Sequence, residues 1–318
     1  MGVNILLLQL INMKEGFIMS VISIKHLTKD YGNNKGVFDV SINVEKGEVY
    51  GYLGQNGAGK STTLRHLMGF SKVDSGELTI NGLDTWKSQE KIKQTLGYLP
   101  GEISLPNNMT GKEYLLLIAK MRKMKSYKAI NELLEYFEIN ADCKIKSMSK
   151  GMKQKIAIVS TFMHNPDVIL LDEPTSGLDP LMQEKFIQLI EKEKQKGKTI
   201  IMSSHIFEEV GKVCDRIGIL KSGKLVNEVK MSELKHNTLK TYKVEFKNKK
   251  DYDEIKKIYN SKDNTCRDEQ NQIIVTIDDK DINSFISNLS KCNVVFLQEQ
   301  KHSLEEYFMK YYGGEQID

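Results

Sequence analysis

At 318 residues the chain is long enough for one large buried core and a smaller second one. Its net charge of +4, with basic residues interspersed among acids, gives no footing to a nucleic-acid-binding reading. No run reaches the roughly eighteen apolar residues that a membrane helix needs, and Cys143, Cys214, Cys266 and Cys292 show neither a C-x-x-C pair nor ligand spacing, as free thiols in a reducing compartment would.

The first apolar run, Ile5 to Ile11, is too short to span a bilayer and lacks the basic start and small-residue cleavage site of a signal peptide. The codons of Lys14-Glu15-Gly16 can spell a purine-rich ribosome-binding sequence just ahead of Met19. Residues 1–18 are therefore expected to be a leader or a mis-assigned start, with Met19 the true first residue. From there to about residue 100 the chain opens strand-rich. Val21 to His26, Gly36 to Val44 and Glu48 to Leu53 carry β-branched residues between turn signals such as Gly32-Asn33-Asn34 and Lys46-Gly47.

Directly after the third of these strands stands Gly54-Gln55-Asn56-Gly57-Ala58-Gly59-Lys60-Ser61-Thr62, which fits G-x-x-x-x-G-K-[ST]. The context is the required one: a short buried strand before it, and a helix over Thr62 to Met68 that ends near Gly69. Glycines let successive N–H groups turn inward toward one anion, and the helix adds its free donors and positive dipole end. Gly54, Asn56, Gly57, Ala58, Gly59 and Thr62 would form the cradle for a nucleoside triphosphate. Lys60 would reach the β- and γ-phosphates, and Ser61 would ligate Mg2+.

Residues 102–165 read as helical, with an amphipathic stretch over Glu113 to Met124 that includes Leu116, Ile118 and Ala119. Residues 166–229 return to alternation: a strand at Val168 to Leu171, a helix from Pro180, a strand at Thr199 to Ser203, a helix from Ile206 and a strand at Arg216 to Leu220. Strands alternating with helices imply a largely parallel sheet. The first of these strands ends in Asp172-Glu173-Pro174, where a sheet delivers reactive groups into a crevice. Asp172 is expected to hold Mg2+ opposite Ser61, and Glu173 to take a proton from the attacking water.

A charged connection near Lys230 to Lys240 leads to a different texture. Tyr242, Val244 and Phe246 alternate with polar residues, and Ile273, Val275 and Ile277, then Val295 and Leu297, recur at the same spacing of two. Helical patterns at Asp251 to Asn260 and Asp281 to Leu289 lie between them. The expectation is a small split α+β unit of ferredoxin-like type over 231–318. A last helix at Ser303 to Tyr312, capped by Ser303, would place Leu304, Tyr307, Phe308 and Tyr311 in packing. No catalytic residue types cluster in this part.

Three further pieces point to a family. Ser149-Lys150-Gly151-Met152-Lys153-Gln154 opens a helix ahead of Asp172, Ser176-Gly177-Leu178-Asp179 follows it, and Ser203-Ser204-His205 ends a later strand. This ordered set, with Lys60 and Asp172-Glu173, resembles the ATP-binding cassette (ABC) superfamily over residues 20–230. The resemblance implies an α/β P-loop NTPase fold of ABC type: a mixed sheet core, an antiparallel β subdomain and a helical subdomain at about 102–165, all within 19–230. It makes Ser149 and Gly151 a signature loop, Asp179 part of the loop linking two sites, His205 a switch histidine steadying the γ-phosphate, and Tyr31 a platform for the adenine ring.

It further implies a head-to-tail dimer of two copies with two ATP molecules between them, each held by the Lys60 loop of one copy and by Ser149 and Gly151 of the other. Two departures stand out. Lys150 and Met152 replace the family's usual glycine and glutamine in the signature, and Gly101, in Tyr98-Leu99-Pro100-Gly101-Glu102, stands where a glutamine is usual. That places the coupling route in question, with Glu102 the neighbouring substitute. The Leu-Pro-Gly-Glu run, the Ser-Lys-Gly-Met signature and Ser303 to Phe308 resemble bacterial drug and antibiotic exporters. The chain is thus expected to be their ATPase subunit, peripheral on the inner face of the cell membrane through a separately encoded multi-spanning partner. A soluble ATPase of ribosomes or DNA usually carries two cassettes or a long coiled coil, and neither is present. Glu173 and His205 speak against a non-hydrolysing regulatory module, although Gly101 leaves that reading open.

Overall fold

The computed structural model describes residues 20–235, 239–259 and 264–300, and the chain divides between Met231 and Ser232 into two units. The leader expected over residues 1–18 and the helix expected at Ser303 to Tyr312 lie outside the described residues.

In the first unit, β1 (Ser20–Asp30), β2 (Gly36–Glu45), β4 (Ser75–Ile80) and β5 (Leu83–Asp84) form an antiparallel sheet in the order β2-β1-β4-β5. Along β2, Val40, Ile42 and Val44 are buried while Ser41, Asn43 and Glu45 face solvent, the pattern of a strand wetted on one side. The second sheet has the order β10-β9-β3-β8-β7-β6. Its members are β3 (Val49–Leu53), β6 (Leu96–Leu99), β7 (Val168–Asp172), β8 (Thr199–Ser204), β9 (Arg216–Lys221) and β10 (Lys224–Lys230). All neighbours run parallel except the edge strand β10. Every residue of β3, β7 and β8 is buried, as expected of parallel strands covered on both faces.

One apolar core joins the two sheets: Ile22, Ile24, Val40 and Ile42 pack with Tyr52, Leu170 and Ile201, together with Leu64 and Leu67 of α1 (Lys60–Leu67). Parallel register then positions the functional residues. Leu53 pairs with Ser204, and Asp172 pairs with Ser203, so the segments leaving β3, β7 and β8 emerge side by side at one edge.

After α2 (Gln89–Thr95), helices α3 (Gly111–Met121), α4 (Lys128–Tyr136) and α5 (Lys150–Phe162) share a second core of Leu115, Ala119, Ile130, Ile156 and Val159. Thr110 and Glu113 begin α3 with a reciprocal capping box, an arrangement in which the cap contributes about 1 kcal/mol. The helix expected to reach Met124 stops at Met121, because Lys123 turns left-handed at φ 53°. Its deepest residues are Leu115 and Ala119, while Leu116 and Ile118 are only half-buried. Asp179 caps α6 (Pro180–Gln195), whose first residue is the proline that suits that position, and α7 (Phe207–Val213) follows β8. The stretch read as a charged connection from Lys230 starts instead as a short helix, α8 (Met231–Lys235).

The second unit runs β11 (Leu239–Phe246), α9 (Lys249–Ile258), β12 (Thr265–Arg267), β13 (Gln272–Asp278), α10 (Ile282–Leu289) and β14 (Val294–Gln300). Its strands order as β12-β13-β11-β14, all antiparallel, which is the split β-α-β-β-α-β arrangement. Val244, Phe246, Ile273, Val275 and Ile277 pack on Tyr252 and Ile255 of α9 and Phe285 and Leu289 of α10. β12 has no counterpart in the sequence reading: three residues, Thr-Cys-Arg, are too few to show alternation.

Candidate functional site

The loop between β3 and α1 has its shape enforced by contacts. A side chain at Gly59, which lies at φ 108°, would meet Val37 Cγ1 at 2.7 Å and the Gly36 carbonyl at 3.0 Å. Gly57, at φ 81°, has nothing within 4 Å of where its Cβ would be, so its backbone is open to an incoming group. Gly54 is packed against Leu220 and Ala58, Ala58 is buried, and Asn56 is exposed. Ser61 and Thr62 sit half-buried on the first turn of α1. The contact of Gly36 with Gly59 also brings the turn carrying Tyr31 to this loop; the Tyr31 ring is 58% exposed, with Lys29 Nζ 5.7 Å from its centre.

Lys60 is 5% exposed, and its ammonium donates to the carbonyls of Gly54 at 2.6 Å and Gln55 at 3.2 Å. Its third neighbour is Glu173, whose Oε1 lies 3.2 Å away. Glu173 Oε2 in turn meets His205 Nδ1 at 2.8 Å. The carboxylate therefore stands between a lysine and a histidine, and the His205 side chain is half exposed. Glu173 has φ 47°, a left-handed backbone that costs a non-glycine residue about 1–3 kcal/mol and is held only by its surroundings. The restraints are visible: its N–H donates to the Ser203 hydroxyl at 3.0 Å and carbonyl at 3.2 Å, and its carbonyl accepts from Ser176 N at 3.1 Å.

Asp172 is 2% exposed, and its Oδ1 accepts from the Ser203 hydroxyl at 2.6 Å. Its other oxygen faces Gly101, where an added Cβ would sit 3.1 Å from it. Ser61 and Asp172 are thus hard oxygen donors of the kind a magnesium ion takes. Tyr98, on the neighbouring strand, has its hydroxyl pushed up to about 12 by burial, with the Asp172 charge adding to it. Glu102, the candidate substitute beside Gly101, is exposed.

The structure groups Ser149 and Gly151 differently, at the start of α5 against the turn Ser176 to Asp179. Ser149 caps α5 by accepting from Met152 N at 3.2 Å, which leaves its hydroxyl proton free to donate. A Cβ on Gly151 would lie 2.7 Å from the Gly177 carbonyl. Asp179 Oδ1 accepts from Met182 N at 3.0 Å.

Three residues that the sequence motifs include, but to which no role was assigned, stand here as well. Ser203 is fully buried and bonds both members of the acid pair. Ser204 donates to the buried Glu209 at 3.2 Å, and burial pushes the Glu209 carboxyl up. Gln154, 1% exposed, donates to the Pro174 carbonyl at 2.7 Å. Each had a signal: two hydroxyls inside an apolar strand, and an amide one turn ahead of the buried Ile158, are polar groups that need partners when buried.

A family model described as ABC transporter matches residues 37–176. The chain is 38% identical over 224 residues to the bacitracin transport ATP-binding protein of Bacillus licheniformis, covering 70% of this chain and 73% of that one. It is 38% identical over 207 residues to the linearmycin resistance ATP-binding protein of Bacillus subtilis, covering 64% of this chain and 67% of that one. Among solved structures, an ATP-binding subunit of an ABC transporter superposes with TM-score 0.62 at 31% identity, over 68% of this chain and 92% of the other. A dimeric ATP-binding cassette in a post-hydrolysis state, bound to ADP and Pi, superposes with TM-score 0.61 at 27% identity, over 66% of this chain and 98% of the other.

Proposed function

On the footing that the chain belongs to the ABC transporter family and is an ATP-binding, ATP-hydrolysing subunit of such a transporter, we propose that it powers the export of an antibiotic or other drug through a separately encoded membrane-spanning partner. The observation that carries the chemistry is Glu173, held between Lys60 and His205 at the end of β7. Likeness to a bacitracin transport protein and a linearmycin resistance protein supports the exporter reading. Among the described residues no helix is long and apolar enough to cross a membrane, in keeping with a partner that supplies the path.

In this reading the loop from Gly54 to Thr62 surrounds the triphosphate and Tyr31 stacks on its base. Lys60 shifts its donors from the Gly54 and Gln55 carbonyls to the β- and γ-phosphates. Ser61 and Asp172 would hold Mg2+, which supplies neutralising charge at the phosphate oxygens. Glu173 accepts a proton from the water that attacks the γ-phosphate, and His205 orients Glu173 through Nδ1 while steadying the γ-phosphate. Ser149 donates its hydroxyl proton, and Gly151 its N–H, to the γ-phosphate held by a second copy in a head-to-tail dimer. The dimeric relative supports that arrangement. Closure on ATP and reopening after hydrolysis would drive the partner. The working place is then the inner face of the cell membrane, on a partner that is a membrane protein and not a nucleic acid.

Affinity capture of the Glu173→Gln chain from detergent-solubilised cells with ATP present tests the proposal. Mass spectrometry is expected to find a multi-spanning membrane protein at a stoichiometric level. Recovery of ribosomal or other soluble proteins in its place would assign the ATPase to a different kind of work.

A further inference from the structure

We propose that Gln154 is a positioning residue for Glu173, through which the helix that meets one nucleotide sets the base that acts on the other. The inference rests on the roles just given to Glu173, Ser149 and Gly151. Gln154 lies on α5, three residues after Gly151 and so on the same helix face. Its side chain is almost fully buried, and Nε2 donates to the Pro174 carbonyl at 2.7 Å. Pro174 directly follows Glu173, the residue with the left-handed backbone at φ 47°.

That strained turn has anchors on two sides. From β8, Ser203 holds the Glu173 N–H through its hydroxyl and its carbonyl. From α5, Gln154 holds the next carbonyl. The first turn of α5 is pressed against the same segment further on: Gly151 packs on the Gly177 carbonyl, and the Lys150 stem covers Gly177 while its ammonium donates to the Ser176 hydroxyl at 3.2 Å. Lys150, which stands where the family usually has glycine, thereby gains a structural use.

α5 runs from Lys150 to Phe162, so Ser149 at its cap, Gly151 and Gln154 all belong to its first two turns. When Ser149 and Gly151 engage the nucleotide of the second copy, the movement of α5 is carried by Gln154 to Pro174 and on to Glu173 of the same chain. Glu173 serves the nucleotide on its own Lys60 loop. One buried amide thus lies between the two sites of the dimer, and a bond made to a strained turn is well placed to switch its aim.

The test is Gln154→Met in the full chain, which keeps the volume and removes the donor. Turnover is expected to fall about ten- to a hundredfold. Affinity for a fluorescent ATP analogue should stay within about twofold, since the nucleotide's own loop is untouched. The ATP-bound dimer should persist instead of dispersing. A residue needed only for folding would lower nucleotide binding, dimer formation and turnover together, and that result would overturn the proposal, as would unchanged turnover. Should the methionine chain fail to fold, Gln154→Asn, whose amide falls short of Pro174, takes its place with the same expected and contrary outcomes. The Glu173→Gln chain runs alongside: if it too keeps turnover, the roles underlying the proposal are at fault; if it is dead and Gln154→Met is normal, the Gln154 link alone is wrong.

Discussion

The Glu173→Gln chain is expected to bind ATP at least as well as the unaltered chain and to lose turnover by about 10²- to 10⁴-fold, the usual contribution of a general base. Loss of the proton acceptor explains the fall in rate. The amide keeps the shape of the carboxylate and its reach to His205, so the turn should survive. Binding should not suffer, because Glu173 competes with an incoming phosphate for Lys60: its Oε1 sits 3.2 Å from the ammonium. Removing that negative charge frees the lysine for the phosphates. Steady-state phosphate release beside a nucleotide titration separates the two quantities, and normal turnover would remove Glu173 from the base's role.

Lys60→Ala should act in the opposite sense, weakening ATP binding by roughly ten- to a hundredfold, as expected when hydrogen bonds from a charged group worth about 1.5–3 kcal/mol are lost. A second effect adds to the first. The ammonium bonds the Gly54 and Gln55 carbonyls at 2.6 and 3.2 Å, so the truncated side chain leaves the loop without its internal tie. Lys60→Arg keeps the charge but brings a larger planar group to a buried site, and is expected to rescue poorly. Isothermal titration with ATP reads both variants directly. Affinity equal to that of the unaltered chain in Lys60→Ala would show that the loop glycines and helix dipole suffice without it.

The candidate site was legible because phosphate chemistry constrains residue types at fixed spacing. Gly54 to Thr62 between a strand and a helix could be read without a fold, and so could an apolar strand ending in Asp172-Glu173. The resemblance of the whole set then named the architecture that the superposed cassettes bear out. What the sequence hid were the contacts that set geometry. Ser203 reaches Asp172 because β7 and β8 run parallel in one particular register, and no local pattern reports that register. The left-handed turn at Glu173 was invisible for a related reason: glutamate has no preference for such a backbone, so only its neighbours reveal it. Short elements were lost too. β12 is three residues long, and α3 stops where Lys123 reverses the chain with no glycine or proline to announce it.

Gly101 shows the two kinds of information meeting. The sequence marked it as a gap where a glutamine is usual, and the structure sets it against the Asp172 carboxylate, where an added Cβ would make a tight contact of 3.1 Å. A larger residue there would need the Asp172 carboxylate or the turn after β6 to give by a few tenths of an ångström. The glycine is therefore part of how this chain packs its acid pair.

Among the described residues Ser149 and Gly151 lie with the Ser176 to Asp179 turn, while Lys60, Glu173 and His205 meet at the end of β7. The central claim is that ATP joins two copies so that each completes the other. Its most direct measurement is the mass in solution of the Glu173→Gln chain, by light scattering, with Mg-ATP and with Mg-ADP. The account predicts about twice the 36.3 kDa of one chain in ATP and a single chain in ADP, with Ser149→Ala in the same background returning the ATP sample toward the monomer. A monomer in saturating ATP, or a dimer indifferent to the nucleotide and to Ser149, would contradict it.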